Sequence, residues 1–313
     1  MGAAFAVVLE QMGVFLLLIG VGAIGALLKI LSPDSLHALS SFALHFSIPC
    51  LIFSTLAGSI TQEQLLLSWP LIALSLCISG LMFCFGLLSA RLCKLSGNRR
   101  RIHLCQSTFG NLGMIGIPLI TALFGAGGML PLTAFLLCDQ TLLWTVGIRL
   151  GYPKESAAGF AWKRLLNPIL LSAVLGISFA LLGIRLPGAV AETIEGLGAT
   201  TKYISLIFVG GTLIFSARER RVRSPGPLGI VLFKMLVCPI AVFFGLRLAG
   251  WVDAVTACTL AAIAGLPAMG TLAVVAKASG SDDAYASTVT LVTTIFAAVT
   301  LPALIWVFGL LPF

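Results

Sequence analysis

The sequence predicts an all-α, polytopic membrane protein, and three observations carry that prediction: an apolar composition, repeated runs of spanning length, and basic residues confined between the runs. Of 313 residues, 59% are hydrophobic and 10% are charged, against about 25% charged in soluble domains. Mean hydropathy is +1.09. Apolar runs of about 20 residues recur, each long enough to cross a ~30 Å hydrocarbon core as a helix.

The runs place ten crossings near 12–31, 36–56, 65–90, 102–124, 129–150, 160–183, 190–216, 226–249, 252–277 and 283–311. Nearly all Lys and Arg then fall in the loops after segments one, three, five, seven and nine. The main clusters are Arg91, Lys94, Arg99, Arg100 and Arg101; then Lys154, Lys163 and Arg164; then Arg218, Arg220, Arg221 and Arg223. A positive-inside bias therefore puts both termini outside the cytoplasm, in a multi-pass protein of the cell (plasma or inner) membrane. The net charge of +8 is accounted for by this bias. No aromatic residues interleave with the clusters, so no nucleic-acid partner is expected.

The eight cysteines lie inside or beside apolar runs with no CxxC pair, and they read as small packing residues. His37, His45 and His103 are dispersed, with no zinc spacing, so no metal or other cofactor is expected. The first ten residues hold Glu10 and no Lys or Arg. A cleaved signal peptide is not expected there, and the first apolar run is expected in the mature protein.

The short polar stretch Gly151-Tyr152-Pro153-Lys154-Glu155 divides the ten crossings into five and five. Residues 1–155 form the first expected repeat and 156–313 the second. An odd number of crossings per half inverts the second repeat relative to the first, an arrangement found in many secondary transporters. Charge agrees: the loop between segments three and four carries Arg99, Arg100 and Arg101, whereas its counterpart, Gly250-Trp251-Val252-Asp253, has no basic residue.

Segments four and nine carry the chemistry. Gly110-Asn111-Leu112-Gly113-Met114-Ile115-Gly116-Ile117-Pro118 interrupts one, and Gly265-Leu266-Pro267-Ala268-Met269-Gly270 interrupts its positional counterpart. Proline lacks the amide donor and glycine costs about 1 kcal/mol against alanine inside a helix, so both segments are expected to break. A broken helix in lipid must turn its freed peptide groups toward protein, water or a ligand. Pro118 and Pro267 suit the first position of a restarting half-helix. Its free N–H groups and positive dipole end favour an anion. Packing kinks are the structural alternative for one such segment, but a matched pair points to a transporter's binding site. The expected substrate contacts are Asn111, Gly113, Gly116, Ile117, Pro118, Gly265, Leu266, Pro267, Ala268 and Met269.

Four ionisable residues fall within crossings: Asp139, Arg149, Lys202 and Lys234. Each costs at least ~2.5 kcal/mol to insert and needs a partner or water. Asp139, followed by Gln140, is the most central; it reads either as a site for a coupling H+ or Na+ or as a hydrogen-bonded structural carboxylate. Lys202 and Lys234 are placed nearer the interfaces, where long side chains snorkel. Asp282-Asp283 opens segment ten and reads as a helix cap. An aspartyl intramembrane hydrolase needs two facing carboxylates, and only Asp139 is central, so no enzyme is expected. A sensor or channel reusing the fold is the remaining alternative to a carrier.

Several stretches, in order along nearly the whole chain, carry a resemblance: Phe46-Ser47-Ile48-Pro49-Cys50-Leu51-Ile52-Phe53, Asn111-Leu112-Gly113 with Ile117-Pro118-Leu119, and Leu166-Asn167-Pro168-Ile169-Leu170. Ile207-Phe208-Val209-Gly210-Gly211-Thr212-Leu213, Gly265-Leu266-Pro267 with Gly280-Ser281-Asp282, and Leu291-Val292-Thr293-Thr294 with Thr300-Leu301-Pro302 continue it. The chain resembles the auxin efflux carrier family, in particular its compact prokaryotic-type members. The resemblance implies two inverted five-helix repeats, with unwound helices four and nine crossing at their prolines. Through the family's likeness to sodium–bile acid symporters it also implies an elevator motion, with segments one, two, six and seven as scaffold and three to five with eight to ten as moving core. It implies small carboxylate substrates and makes a homodimer plausible.

Overall fold

The computed structural model describes residues 2–59, 63, 69–147, 151, 168–218, 222–278 and 280–310. Residues 152–155 of the expected midpoint break, and Arg149, Lys154, Lys163, Arg164, Leu166, Asn167, Arg220 and Arg221, lie outside the described residues. In chain order the helices are α1 (Gly2–Leu27), α2 (Pro33–Phe42), α3 (Ile48–Ser59), α4 (Trp69–Leu92), α5 (Gly97–Thr108), α6 (Ile117–Leu142) and α7 (Pro168–Leu182). They continue as α8 (Gly188–Ala199), α9 (Thr201–Arg218), α10 (Gly226–Ile230), α11 (Cys238–Ala249), α12 (Ala254–Ala264), α13 (Thr271–Ala278) and α14 (Asp283–Leu310). Among the described residues no β-strand forms; a single antiparallel bridge joins Gly110 to Ala268.

Among the described residues, six continuous helical stretches are long and apolar enough to cross a membrane. One of them, Leu112–Gly147, has 36 residues and would extend about 54 Å if straight, far more than one hydrocarbon core needs. Gly125 resolves the excess. Its φ of 53° and ψ of −137° are non-helical, a conformation open to glycine at little cost, and the chain breaks there into two helical limbs.

Three joins between helices share one cause. Wide turns at Ala43–Ser47, Leu112–Gly116 and Val231–Val237 each precede a proline at the second position of the next helix: Pro49, Pro118 and Pro239. A proline ring clashes with the carbonyl four residues back and offers no N–H to it. The helix answers by widening, and the residue before each proline donates five residues back: Ile48 to Ala43, Ile117 to Leu112 and Cys238 to Phe233. Such wide turns occur mostly singly and often at functional sites.

Two packing groups emerge. Helix α1 lies along α9, and α3 lies along α7 and α8, with α2 against α9. Separately, α4 packs on α5 and α6, α12 on α6 and α11, and α13 on α14. The first group is joined by glycines that let backbones touch, as in membrane helix pairs generally. A methyl group added at Gly22 would collide with the carbonyl of Ile207, and one at Gly210 with that of Ile19, so the α1–α9 contact is reciprocal. One apolar core runs through both groups, from Phe15, Ile52 and Leu206 in the first to Phe135, Leu260 and Phe243 in the second, with the Phe243 ring stacked on Phe308 at 4.3 Å between centroids. Large apolar side chains such as Leu17, Leu182, Leu248 and Val299 remain exposed on the outside, the pattern of a lipid-facing surface.

Candidate functional site: two facing helix breaks

Helix α5 ends at Thr108, and the helical path resumes at Leu112 after Phe109-Gly110-Asn111. Helix α12 ends at Ala264 and α13 begins at Thr271. Both expected interruptions therefore exist, and they touch. Asn111 N–H donates to the Pro267 carbonyl at 2.9 Å, beside the Gly110–Ala268 bridge. The Ala268 amide donates to Thr293 Oγ1 of α14 at 3.1 Å. Glycine at 110 eases this approach, since a methyl group there would stand a tight 3.1 Å from Leu266 Cβ.

The prolines do not play the symmetric parts expected of them. Pro267 lies in the crossing itself and supplies the carbonyl that Asn111 bonds. Pro118 does not open the restarting half-helix; it follows the wide turn at Leu112–Gly116, which its missing donor creates. The restart is capped instead by Asn111, whose Oδ1 accepts from the Met114 amide at 3.3 Å, as N-cap asparagines do.

Burial sorts the expected contact residues into two sets. Gly116, Ile117, Pro118, Gly265, Leu266, Pro267 and Ala268 are buried, whereas Asn111, Gly113 and Met269 are partly exposed. Leu266 is a wedge: a methyl group at Gly116 would lie 2.7 Å from its Cδ1. The buried set includes the residues that build the crossing, and the accessible set flanks it in the chain. Gly270 and Thr271 belong to the accessible set as well. Among the described residues, the amides of Gly113, Met269, Gly270 and Thr271 take no hydrogen-bond acceptor. These are the orphan donors that every helix start leaves, and here two starts contribute them at one crossing. The Nδ2 donors of Asn111 are also uncommitted.

Lys234 is the residue whose placement the sequence reading misjudged. It does not snorkel at an interface: it is 1% exposed, in the wide turn Val231–Val237, and its Nζ donates to the carbonyls of Gln106 and Phe109 at 3.0 Å each. Those carbonyls are the open end of α5 at the first break. The signal was available, since Lys234 stands eight residues, about 12 Å, inside its apolar run. Asp139 is likewise 1% exposed and interacts electrostatically with Lys234 without a hydrogen bond between them. Its Oδ2 accepts from Gln140 Nε2 at 3.2 Å. Lys202 lies in the first turn of α9, half-buried, with Nζ 5.3 Å from the centroid of the Tyr203 ring.

Sequence reasoning assigned no role to Gln106 or Thr293. Gln106 is buried and donates to Ala286 O and Thr290 Oγ1, tying the end of α5 to α14. At the far end of α5, Arg99 pairs with Asp282 at 2.7 Å, and Asp282 Oδ1 accepts from the Tyr285 amide, so its expected capping role is realised. No cluster of potential metal ligands occurs among the described residues.

Comparison with known proteins points to membrane transport. The sequence profile of the family described as "Membrane transport protein" matches residues 7–159 and again 153–305. A Rhizobium meliloti (strain 1021) protein named "Putative malonate transporter" is 23% identical over 292 residues, spanning 89% of each chain. An uncharacterized transporter of Methanocaldococcus jannaschii is 23% identical over 244 residues, covering 74% of this chain and 76% of its own.

Proposed function

The chain belongs to the auxin efflux carrier family of membrane transport proteins, a family of transporters and not of enzymes, and from that premise we propose that it is a secondary carrier of a small organic anion. The observation that carries the proposal is the crossing of two broken helices, with orphan amides of Gly113, Met269, Gly270 and Thr271 beside the uncommitted Asn111 side chain. Donors of this kind suit a carboxylate. The name of the Rhizobium relative makes malonate the first substrate to try.

The wider reading is ten crossings in two inverted five-helix repeats, 1–155 and 156–313. The Gly125 break and the two successive profile matches of similar length support it. The closer packing of α1 to α3 with α7 to α9, and of α4 to α6 with α11 to α14, supports a scaffold and a moving core for an elevator motion. The protein sits in the cell membrane with both termini outside the cytoplasm, as the loop charges favour, and a homodimer fits relatives of this kind. Asp139 with Gln140 is the candidate site for coupling to H+ or Na+.

The test is uptake into liposomes by purified protein, with malonate, other dicarboxylates, monocarboxylates and amino acids supplied in turn. Saturable uptake of a carboxylate that Asn111→Ala and Pro267→Ala both reduce supports the site. Unchanged uptake in both variants refutes it, and ohmic single-channel currents would replace the carrier by a pore.

A further inference from the structure

A helix that ends inside a membrane presents its last carbonyls unpaired, at the negative end of the helix dipole. At the end of α5 local groups satisfy part of this need: Phe109 N–H bonds Cys105 O, and Thr108 Oγ1 bonds Leu104 O. Of the carbonyls left over, those of Gln106 and Phe109 converge on one point. A pair of carbonyls with a carboxylate in electrostatic reach supplies part of the oxygen shell that a monovalent cation takes. The occupant of that point is Lys234 Nζ, at 3.0 Å from both oxygens, with Asp139 as the nearby carboxylate.

The side chain reaches this point because Pro239 widens the turn that carries it. The second break has no equivalent. Gly265 N–H turns back to Ala261 O and Ala262 O, and no cationic side chain is bonded to the α12 end among the described residues. Charge at the crossing is therefore placed on one side only.

We propose that Lys234 is a tethered cation, permanently filling the place between the Gln106 and Phe109 carbonyls that a monovalent metal ion would otherwise take, so that this protein operates without Na+. The inference rests on the carrier reading and narrows it, leaving H+ and not Na+ as the ion to be coupled through Asp139. Lys234 is a positioning residue: it holds the open end of α5, and through it the Phe109–Asn111 break, without itself touching the substrate.

The experiment compares the detergent-solubilised parent with Lys234→Ala. Thermal unfolding is followed at equal ionic strength in sodium, potassium or choline chloride, and with added ethylammonium chloride or, as a neutral control, propanol. The parent midpoint is expected to be the same in all three salts. Lys234→Ala is expected to unfold at a lower temperature and to recover saturably with ethylammonium or Na+, but not with choline or propanol. Uptake in liposomes should follow, with the parent indifferent to replacing Na+ by choline and the variant losing most uptake until ethylammonium is supplied.

A Na+-specific rise in the parent midpoint overturns the proposal, as does failure of every small cation to restore folded Lys234→Ala. If that variant cannot be obtained folded, the parent comparison decides alone: indifference to Na+ sustains the proposal and Na+ dependence ends it. Because the thermal measurements need no substrate, absence of uptake would sink the carrier reading while leaving the cation result standing.

Discussion

The two helix breaks occupy matching places in the chain and touch each other, yet they are held open by different means. The first is three residues long, Phe109 to Asn111, and is pinned at both ends by side chains: Lys234 on the carbonyls of α5 and Asn111 on the amides of the restart. The second is six residues, Gly265 to Gly270, and relies on backbone bonds and a single hydroxyl, Thr293, at Ala268. A short break strands its peptide groups close together, where one charged side chain can serve two of them. A long break spreads them out, and turns and neighbours must serve them one by one. The difference teaches that internal likeness between halves need not extend to the electrostatics of the site.

The largest effect is expected at the charged pin. Lys234→Met removes two charge-assisted hydrogen bonds and leaves buried carbonyls unpaired, a loss of about 3 kcal/mol to be read from the thermal unfolding midpoint of solubilised protein. At the second break Thr293→Val keeps the shape and deprives the Ala268 amide of its acceptor. A loss of about 1.5 kcal/mol is expected there by the same measurement. Equal losses at the two positions would remove the asymmetry described above.

Asn111→Ala loses an N-cap, which costs about 1 kcal/mol. Its effect on substrate uptake should exceed its effect on stability, because the same side chain offers donors to the site. Pro118→Ala should be the mildest for uptake, since Pro118 follows the wide turn and is not part of the Asn111–Pro267 contact. A Pro118→Ala defect in uptake as deep as that of Pro267→Ala would restore the symmetric roles first expected of the two prolines.

Much of this was legible in the residues. Periodic apolar runs and the glycine–proline clusters at 110–118 and 265–270 placed the helices and both breaks, because a missing amide donor and a missing Cβ act locally. The end of α6's first limb at Gly125 also falls where the apolar runs part, between residues 124 and 129. The roles of Pro118 and Lys234 were not legible. Whether a proline opens a half-helix or widens the turn behind it depends on where the chain first breaks, three residues in one direction or the other.

By itself the sequence determined that this chain lives in a bilayer, that it is all helix, and that two of its helices cannot run through. Those properties follow from composition and from residue-by-residue backbone chemistry. Only the tertiary structure decided that Asn111 meets Pro267, that Leu266 wedges against Gly116, and that Lys234 reaches Gln106 and Phe109 from another helix. Such contacts join residues up to 156 positions apart in the numbering of Asn111 and Pro267. A lysine in an apolar run announces its cost but not its partner, because the partner is chosen by how helices pack.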